Sequence, residues 1–522
     1  MLRYGITHGR RSARLSFGLG RSSFVSVRSS AASCLHPIGR AFFFHSCIFL
    51  CRHRASMIVS LPSASSTENV HALEEVQDFA TTDMGDPEGG TWTYRVLPEP
   101  LLSQELARMA QAAILPSTQT HHITFQPCSP LEHENQDRLV SEKWDIPQHG
   151  SWTFNAVFDG HVNGHTVDYV VQNFPRILRR NLVAALETVS RPSASSDDGI
   201  SRVLRDSVVY LDDQIWYDLV DALPNDWESA PPDTLVRHFS GDKRAYDCAA
   251  RCLGGCTAVF ALTEPTRRRA WVVNLGGKFF ACAARKVGAY LSRCVCDYAR
   301  HFTPIKRAMS APDSHAAVVR RSGSAVAGVH VNNLHNARSA DEVALIRSLH
   351  PAEPSVFADD RVLGYLEPTR GFGDVWLKRP RLASLLMSVS QEWLSSTSLV
   401  DYGSQVLTPP YVLNTPDVHE IHLDEPDVDD YFLVLATDGL ADCGTYEHLE
   451  PPQLASAWAE VLRTAIEDDH AKGLSSNLAL SLLRAALGGS DEREVSQNMT
   501  VEMDDRWMDD TTILVQRIPR SR

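Results

Sequence analysis

FNAVFDGHVNGH, residues 154–165, sets an Asp, a Gly and a His directly behind a run of apolar and small residues. WTFNAVF, 152–158, reads as a short buried strand. An acid at the end of such a strand is costly unless something positive compensates it. Asp159 precedes Gly160, which lets the backbone turn sharply and bare a carbonyl. His161 brings a titratable ring to the same place. One Asp-Gly pair alone is an ordinary turn signal. This chain repeats the design: YFLVLAT, 431–437, runs into Asp438-Gly439, and TTILVQRI, 511–518, follows Asp509-Asp510. Carboxylates with a bared carbonyl are the hard oxygen ligands that Mg2+ or Mn2+ prefer. Two such ions on shared carboxylates suit phosphoester hydrolysis, because they ready water for attack and clamp phosphoryl oxygens. His161 is placed to give the proton that the leaving alkoxide needs.

Around these strand ends the apolar pattern predicts further strands at 256–263 (CTAVFALT), 270–276 (AWVVNLG) and 278–284 (KFFACAA). Helical spacing appears at 165–186, where Pro175 predicts a kink or break, and at 200–220, 339–349, 451–466 and 477–489. Ser339 is the expected N-cap of the third helix. Strands close in sequence, as around Gly276-Gly277, favour antiparallel hairpins over a doubly wound parallel sheet. PSASSDDG (192–199), the segment near 222–240 and the segment 383–405 read as surface insertions.

The chain has 522 residues and a net charge of −14, which argues against a nucleic-acid partner. Met1 to Thr67 holds nine Arg, no Lys and no acid, and is rich in Ser. That composition predicts a mitochondrial transit arm, with a basic disordered arm as the alternative. AFFFHSCIFLC, 41–51, is too short to span a bilayer, so no transmembrane segment is expected. The expected division is a basic arm at 1–67, a linker and lead-in at 68–115, a catalytic domain at 116–518 and a basic tail at 519–522. Of the eleven Cys, Cys248, Cys252 and Cys256 lack zinc-type spacing and read as reduced structural thiols.

The ordered motifs resemble the metal-dependent protein phosphatases of type 2C. VFDGH (157–161), CTAVFAL (256–262), TRGFGD (369–374), FLVLATDGLAD (432–442) and DDTTILV (509–515) follow the family's order, and NQDR (135–138) is similar to its opening motif. The resemblance covers roughly residues 120–518 and implies an α+β fold, a four-layer α-β-β-α sandwich of two mainly antiparallel sheets flanked by helices. It implies two Mg2+ or Mn2+ ions, bridged by Asp159, one of them also bound by the Gly160 carbonyl. Asp438 and Asp509 would hold the other, Asp137 would act through water, and His161 would be the general acid. Asp442 matches a position that helps hold a third ion. Arg370 and Asp374 match positions of structural role. HNARSADEVALIRSLHP (335–351), RVLGYLEPTRGFGDVWLK (361–378) and PPYVLNTPDV (409–418) are similar to segments of the mitochondrial pyruvate dehydrogenase phosphatases. The implied partner is a phosphorylated protein, the E1α subunit of pyruvate dehydrogenase.

Three departures stand out. Val162-Asn163 replaces the family's Gly-Gly, and side chains there would reshape the rim of the site. Gln136 stands where a Glu is usual. Gly277 stands where a third-ion Asp is usual. The last two motivate an alternative reading, a pseudophosphatase that binds partners without turnover.

Overall fold

The computed structural model describes residues 56–59, 78–87, 90–128, 135–189, 197–276, 314–393, 403–473, 475–503 and 506–520. One compact unit runs from Arg54 to Arg522. Residues 1–55 and 60–67 of the expected basic arm, the predicted strand 278–284 and Gly277 lie outside the described residues; residues 56–59 of that arm are described, as a strand.

Among the described residues thirteen strands build two sheets: β1 (Ser56–Val59), β2 (Ala113–Leu115), β3 (Thr120–Phe125), β4 (Arg138–Ile146), β5 (Gly150–His161), β6 (Gly255–Thr263), β7 (Arg269–Leu275), β8 (His315–Ser322), β9 (Ala325–His330), β10 (Phe372–Gly373), β11 (Asp417–His422), β12 (Asp430–Ala436) and β13 (Thr511–Pro519). The first sheet has the order β1-β4-β5-β6-β7-β11, with the short β10 beside β6; the second has the order β9-β8-β12-β13-β3-β2. Every pairing in both sheets is antiparallel.

Period-two alternation explains the layering. Val157, Val259, Ala261, Leu433, Leu435 and Leu514 point between the sheets into one apolar cluster. Their neighbours Ala156, Phe158, Ala258, Phe260 and Leu262 point the other way, into a core shared with helices. Phe432, Val434, Ile513 and Val515 do the same on the second sheet. Strands buried on both faces read as near-continuous apolar runs, which is how they appear in the sequence.

The helices are α1 (Leu101–Met109), α2 (Gly164–Val189), α3 (Asp197–Ala222), α4 (Pro232–Gly241), α5 (Lys243–Leu253), α6 (Ala340–Leu349), α7 (Pro380–Trp393), α8 (Pro451–Lys472), α9 (Leu478–Ala486) and α10 (Glu492–Thr500). Helices α2 to α5 and α7 pack on the first sheet; α1, α8, α9 and α10 pack on the second. The architecture is the expected four-layer α-β-β-α sandwich.

Three local readings change. Helix α2 runs unbroken through Pro175, because Val167, Val170, Val171 and Phe174 before it and Leu178 and Leu182 after it are buried in one core. Packing on both sides outweighs the local cost of Pro. Segments read as surface insertions also enter the core, through Leu235 and Phe239 of α4 and Leu385 and Leu386 of α7. Ser339 precedes α6 but makes no side-chain cap bond. Within 78–115, a hairpin of residues 79–82 and 92–95 joins α10 through Arg95 N–H donating to Thr500 Oγ1 at 2.9 Å.

Candidate functional site

β5, β12 and β13 bring their acidic ends to one end of the sandwich. Antiparallel register places Asp159 opposite Thr257, Gly160 opposite Cys256 and His161 opposite Gly255. The first turn after β10 then reaches across: Asp374 Oδ2 and Oδ1 lie 2.8 and 3.0 Å from His161 Nε2. Both side chains are buried. His161 Nδ1 has no hydrogen-bond partner. Asp374 holds a left-handed backbone, φ +46°, and its N–H donates to Gly254 O at 2.9 Å. The structural role expected for Asp374 is therefore a specific one, fixing the ring of His161. Arg370 keeps a purely structural role: it pairs with Glu342 of α6 and with Asp417 Oδ1 at 2.9 Å, and donates to Thr415 O.

Asp137 reaches the same end through the loop before β4. Its Oδ2 accepts from Thr437 Oγ1 at 2.7 Å. Thr437 Oγ1 in turn accepts from Thr512 N–H at 2.8 Å, so one hydroxyl ties β12, β13 and Asp137 together. Asp137 Oδ1 has no partner. Burial, then the charges of Asp159 and Asp510, push the Asp137 carboxyl well above its ordinary range.

Asp438 is buried and opens a single helical turn, Asp438–Ala441, whose far side carries Asp442. A side chain on Gly439 would meet Asp510 O at 2.3 Å, so glycine is what lets this turn sit on β13. Asp442 Oδ1 is buried without a partner. Burial, then Asp509, Glu367 and Glu447, push this carboxyl well up.

Asp509 Oδ1 accepts from Arg506 Nη2 at 3.0 Å and from Asp510 N–H at 2.8 Å. Asp510 is fully employed in structure: Oδ1 takes Gln126 Nε2 at 3.0 Å and Arg506 Nη2 at 2.6 Å, and Oδ2 takes Gln136 N–H at 2.8 Å. Gln136 thus borders the site, with its Oε1 buried and unpartnered. Its carbonyl lies 3.0 Å from the point where a Gly160 side chain would begin. Asn163 is spent on the fold: Nδ2 donates to Ala250 O at 3.0 Å, and Oδ1 accepts from His165 N–H at 2.9 Å. Val162 adopts φ +70°.

Among the described residues no three acidic, His or Cys side chains close tightly enough around one point to form a finished metal cage. The donor chemistry fits hard divalent cations all the same. Asp137 Oδ1, Asp442 Oδ1 and Gln136 Oε1 are buried oxygens with nothing to accept from, and the acids raise one another's carboxyls. A divalent cation relieves both conditions at once.

Sequence reasoning missed Gly255, Thr437, Arg506 and Glu367. The Gly254-Gly255 pair ahead of β6 could have flagged a close approach; nothing in the sequence singles out the others. Glu367 is 2% exposed, with Oε2 3.4 Å from Arg361 Nη2 and Oε1 unpartnered. Burial is the main reason its carboxyl is pushed up to about 7. A raised carboxyl contributes stability that is full below its unfolded value and is lost as pH rises through about 7. Glu367→Gln is therefore expected to raise the free energy of unfolding at pH 8 by about 2 kcal/mol, and with it the midpoint, and to leave both unchanged near pH 4. Equal midpoints for the two proteins at pH 8 would contradict this.

Comparison with known proteins agrees with the geometry. The family model of protein phosphatase 2C matches residues 311–466. A protein phosphatase 2C homolog of Schizosaccharomyces pombe is 23% identical over 407 residues, 74% of this chain and 77% of its own length. Protein phosphatase 2C 29 of Arabidopsis thaliana is 30% identical over 191 residues, 36% of this chain and 21% of its own. Human pyruvate dehydrogenase (acetyl-transferring) phosphatase 2, mitochondrial, is 30% identical over 192 residues, 32% of this chain and 35% of its own. The chain thus spans most of the fission-yeast relative and well under half of the other two. A solved serine-threonine phosphatase 2C from Toxoplasma gondii is 15% identical, with a TM-score of 0.41 over 77% of this chain and 97% of that one. The chain is thus similar to protein phosphatases 2C, through the family model over residues 311–466 and through the fission-yeast relative over most of that protein's length.

Proposed function

We propose that this domain is a working Mg2+- or Mn2+-dependent protein serine/threonine phosphatase. One observation carries the reading: buried carboxylates at the strand ends repel one another, some with unpartnered oxygens, and His161 on one of those strands is already oriented by an acid. Asp159, with the Gly160 carbonyl, Asp438 and Asp509 would hold two ions, and Asp137 would act through water; Asp442 is what remains of a third-ion site that lacks the carboxylate Gly277 replaces. When bound, the ions supply Lewis acidity that readies water and offsets phosphoryl charge.

The chain's own residues supply the rest. Asp374 accepts from the Nε2–H of His161 and so fixes which nitrogen remains for substrate. Nδ1 is that nitrogen: in the doubly protonated ring, whose Nε2–H stays on Asp374, the Nδ1 proton passes to the leaving Ser or Thr oxygen as the phosphorus–oxygen bond breaks, and the ring is left neutral. Water ends on phosphorus, and no side chain becomes phosphorylated.

The proposed substrate is phosphorylated E1α of pyruvate dehydrogenase in the mitochondrial matrix. Three things support it: the segment 335–378, the partial match to the human enzyme and the acid-free arginine-rich N-terminus. The rival reading is a pseudophosphatase. Neutral Gln136 favours it, as does Arg506 lying on Asp509.

The test is dephosphorylation of a phosphoserine peptide with Mn2+, Mg2+ or EDTA, beside Asp159→Asn. Turnover should require metal. The variant should lose on the order of 10³-fold, the several kcal/mol that metal catalysis supplies. A folded protein with no turnover in either metal would leave the pseudophosphatase standing.

A further inference from the structure

We propose that a buried ion pair, Asp212 with Lys378, positions the candidate acid His161 from the opposite side of Asp374. The inference rests on the phosphatase reading for its chemistry and on geometry for its existence.

Asp212 lies on α3 and Lys378 follows Asp374 by one helical turn; both are buried. Lys378 Nζ is 2.9 Å from each oxygen of Asp212 and donates to Gly371 O at 2.6 Å. Asp212 Oδ1 also accepts from Gly373 N–H at 2.9 Å. Two polar contacts thus grip residues 371 and 373, immediately ahead of Asp374. The grip is needed where it falls. Gly373 and Asp374 are consecutive left-handed residues, φ +75° and +46°, and the second has a side chain that disfavours that conformation. A side chain on Gly373 would meet Gly254 O at 2.4 Å, so the turn has no room to relax toward β6.

Stability alone is a poor account of this pair. Charges buried this deeply gain little net free energy over an apolar pair of similar volume, and apolar neighbours abound on α3, where Leu204, Val208, Leu211, Ile215 and Leu219 face the same core. What an ion pair adds is direction: a point charge and two carboxylate oxygens fix a turn within a fraction of an ångström. The relay runs from α3 through Asp212 and Lys378 to the turn, then through the Asp374 carboxylate to His161 Nε2. Asp212 and Lys378 are positioning residues; neither touches His161 itself.

The test uses the full chain with Lys378→Met and with Asp212→Asn/Lys378→Met. The double variant leaves no buried charge unpaired and guards against simple unfolding. Rates with Mn2+ are compared for a phosphoserine peptide and for p-nitrophenyl phosphate, whose leaving group departs without a proton. In parallel, the ring nitrogens of His161 are followed by 15N NMR in the metal-free protein. With a cooperative thermal transition retained, kcat on the peptide should fall on the order of 10- to 100-fold at little-changed KM. The nitrophenyl ester should change by less than about threefold. The ring should lose its single tautomer. Equal losses on both substrates, or an unaltered His161 spectrum, would show a pair that merely holds the fold and would overturn the proposal. If the wild-type protein turns over neither substrate, the phosphatase reading fails, and the NMR comparison still decides the positioning role.

Discussion

Gly255→Ala is expected to lower turnover of a phosphoserine peptide by about 10²- to 10⁴-fold, the range that a general acid supplies. The cause is steric and local. A Cβ at residue 255 would stand 2.1 Å from Asp374 Oδ2 and 2.4 Å from His161 Nε2. Neither group can step aside cheaply. His161 sits in β5 opposite Gly255 itself. Asp374 is tied to Gly254 O through its own N–H, and its turn is gripped by Asp212 and Lys378. One methyl group therefore parts the pair or bends the β5–β6 ladder. Overpacking of this kind destabilises by about 1–3 kcal/mol. The measurement is kcat beside a denaturant titration. A protein that keeps activity within a few-fold would mean that the His161–Asp374 contact is not what orients the acid. Matched loss in Asp374→Asn, without the stability cost, would locate the effect in the carboxylate.

The same pair shows where sequence reading stops. Asp159, Asp438 and Asp509 were legible because each ends or begins an apolar strand, and a strand announces its own direction and limits. The sandwich was legible for the related reason that strands covered on both faces leave unbroken apolar runs. Asp374 stood in a recognisable motif, but its action on His161 depends on a two-residue strand, β10, laid beside the start of β6. Local pattern carries no trace of so short a pairing. Pro175 misled because propensity weighs one residue, whereas the burial of α2 weighs six apolar side chains across two turns on either side. Glu367 and Arg506 were invisible for a third reason. Charged residues in loops look alike until the fold decides which are buried, and here it buries Glu367 and half-buries Arg506 against Asp509 and Asp510.

Arg506 is where that hidden charge has the second large consequence. Burial works against its positive charge, yet Asp509 and Asp510 more than offset this and hold its proton well above the ordinary range. It spans the two acids at 3.0 and 2.6 Å. In the metal-free protein it is thus the counter-ion of a proposed metal ligand. Arg506→Gln should then act in opposite directions on two observables. Without metal, Asp509 and Asp510 lose their cation, and the free energy of unfolding should drop by about 1–3 kcal/mol, allowing for partial exposure of the side chain. With Mn2+, the site is more negative and Asp509 Oδ1 is released, so binding should tighten by about tenfold. Calorimetric titration with Mn2+ and thermal unfolding with and without the ion measure the two effects directly. A stability loss that Mn2+ does not repair, with affinity unchanged, would make Arg506 a plain structural cation. A loss that Mn2+ restores in full would identify the guanidinium as the group that a metal ion displaces from Asp509, and would place the proposed site on an oxygen that the metal-free fold already holds in position.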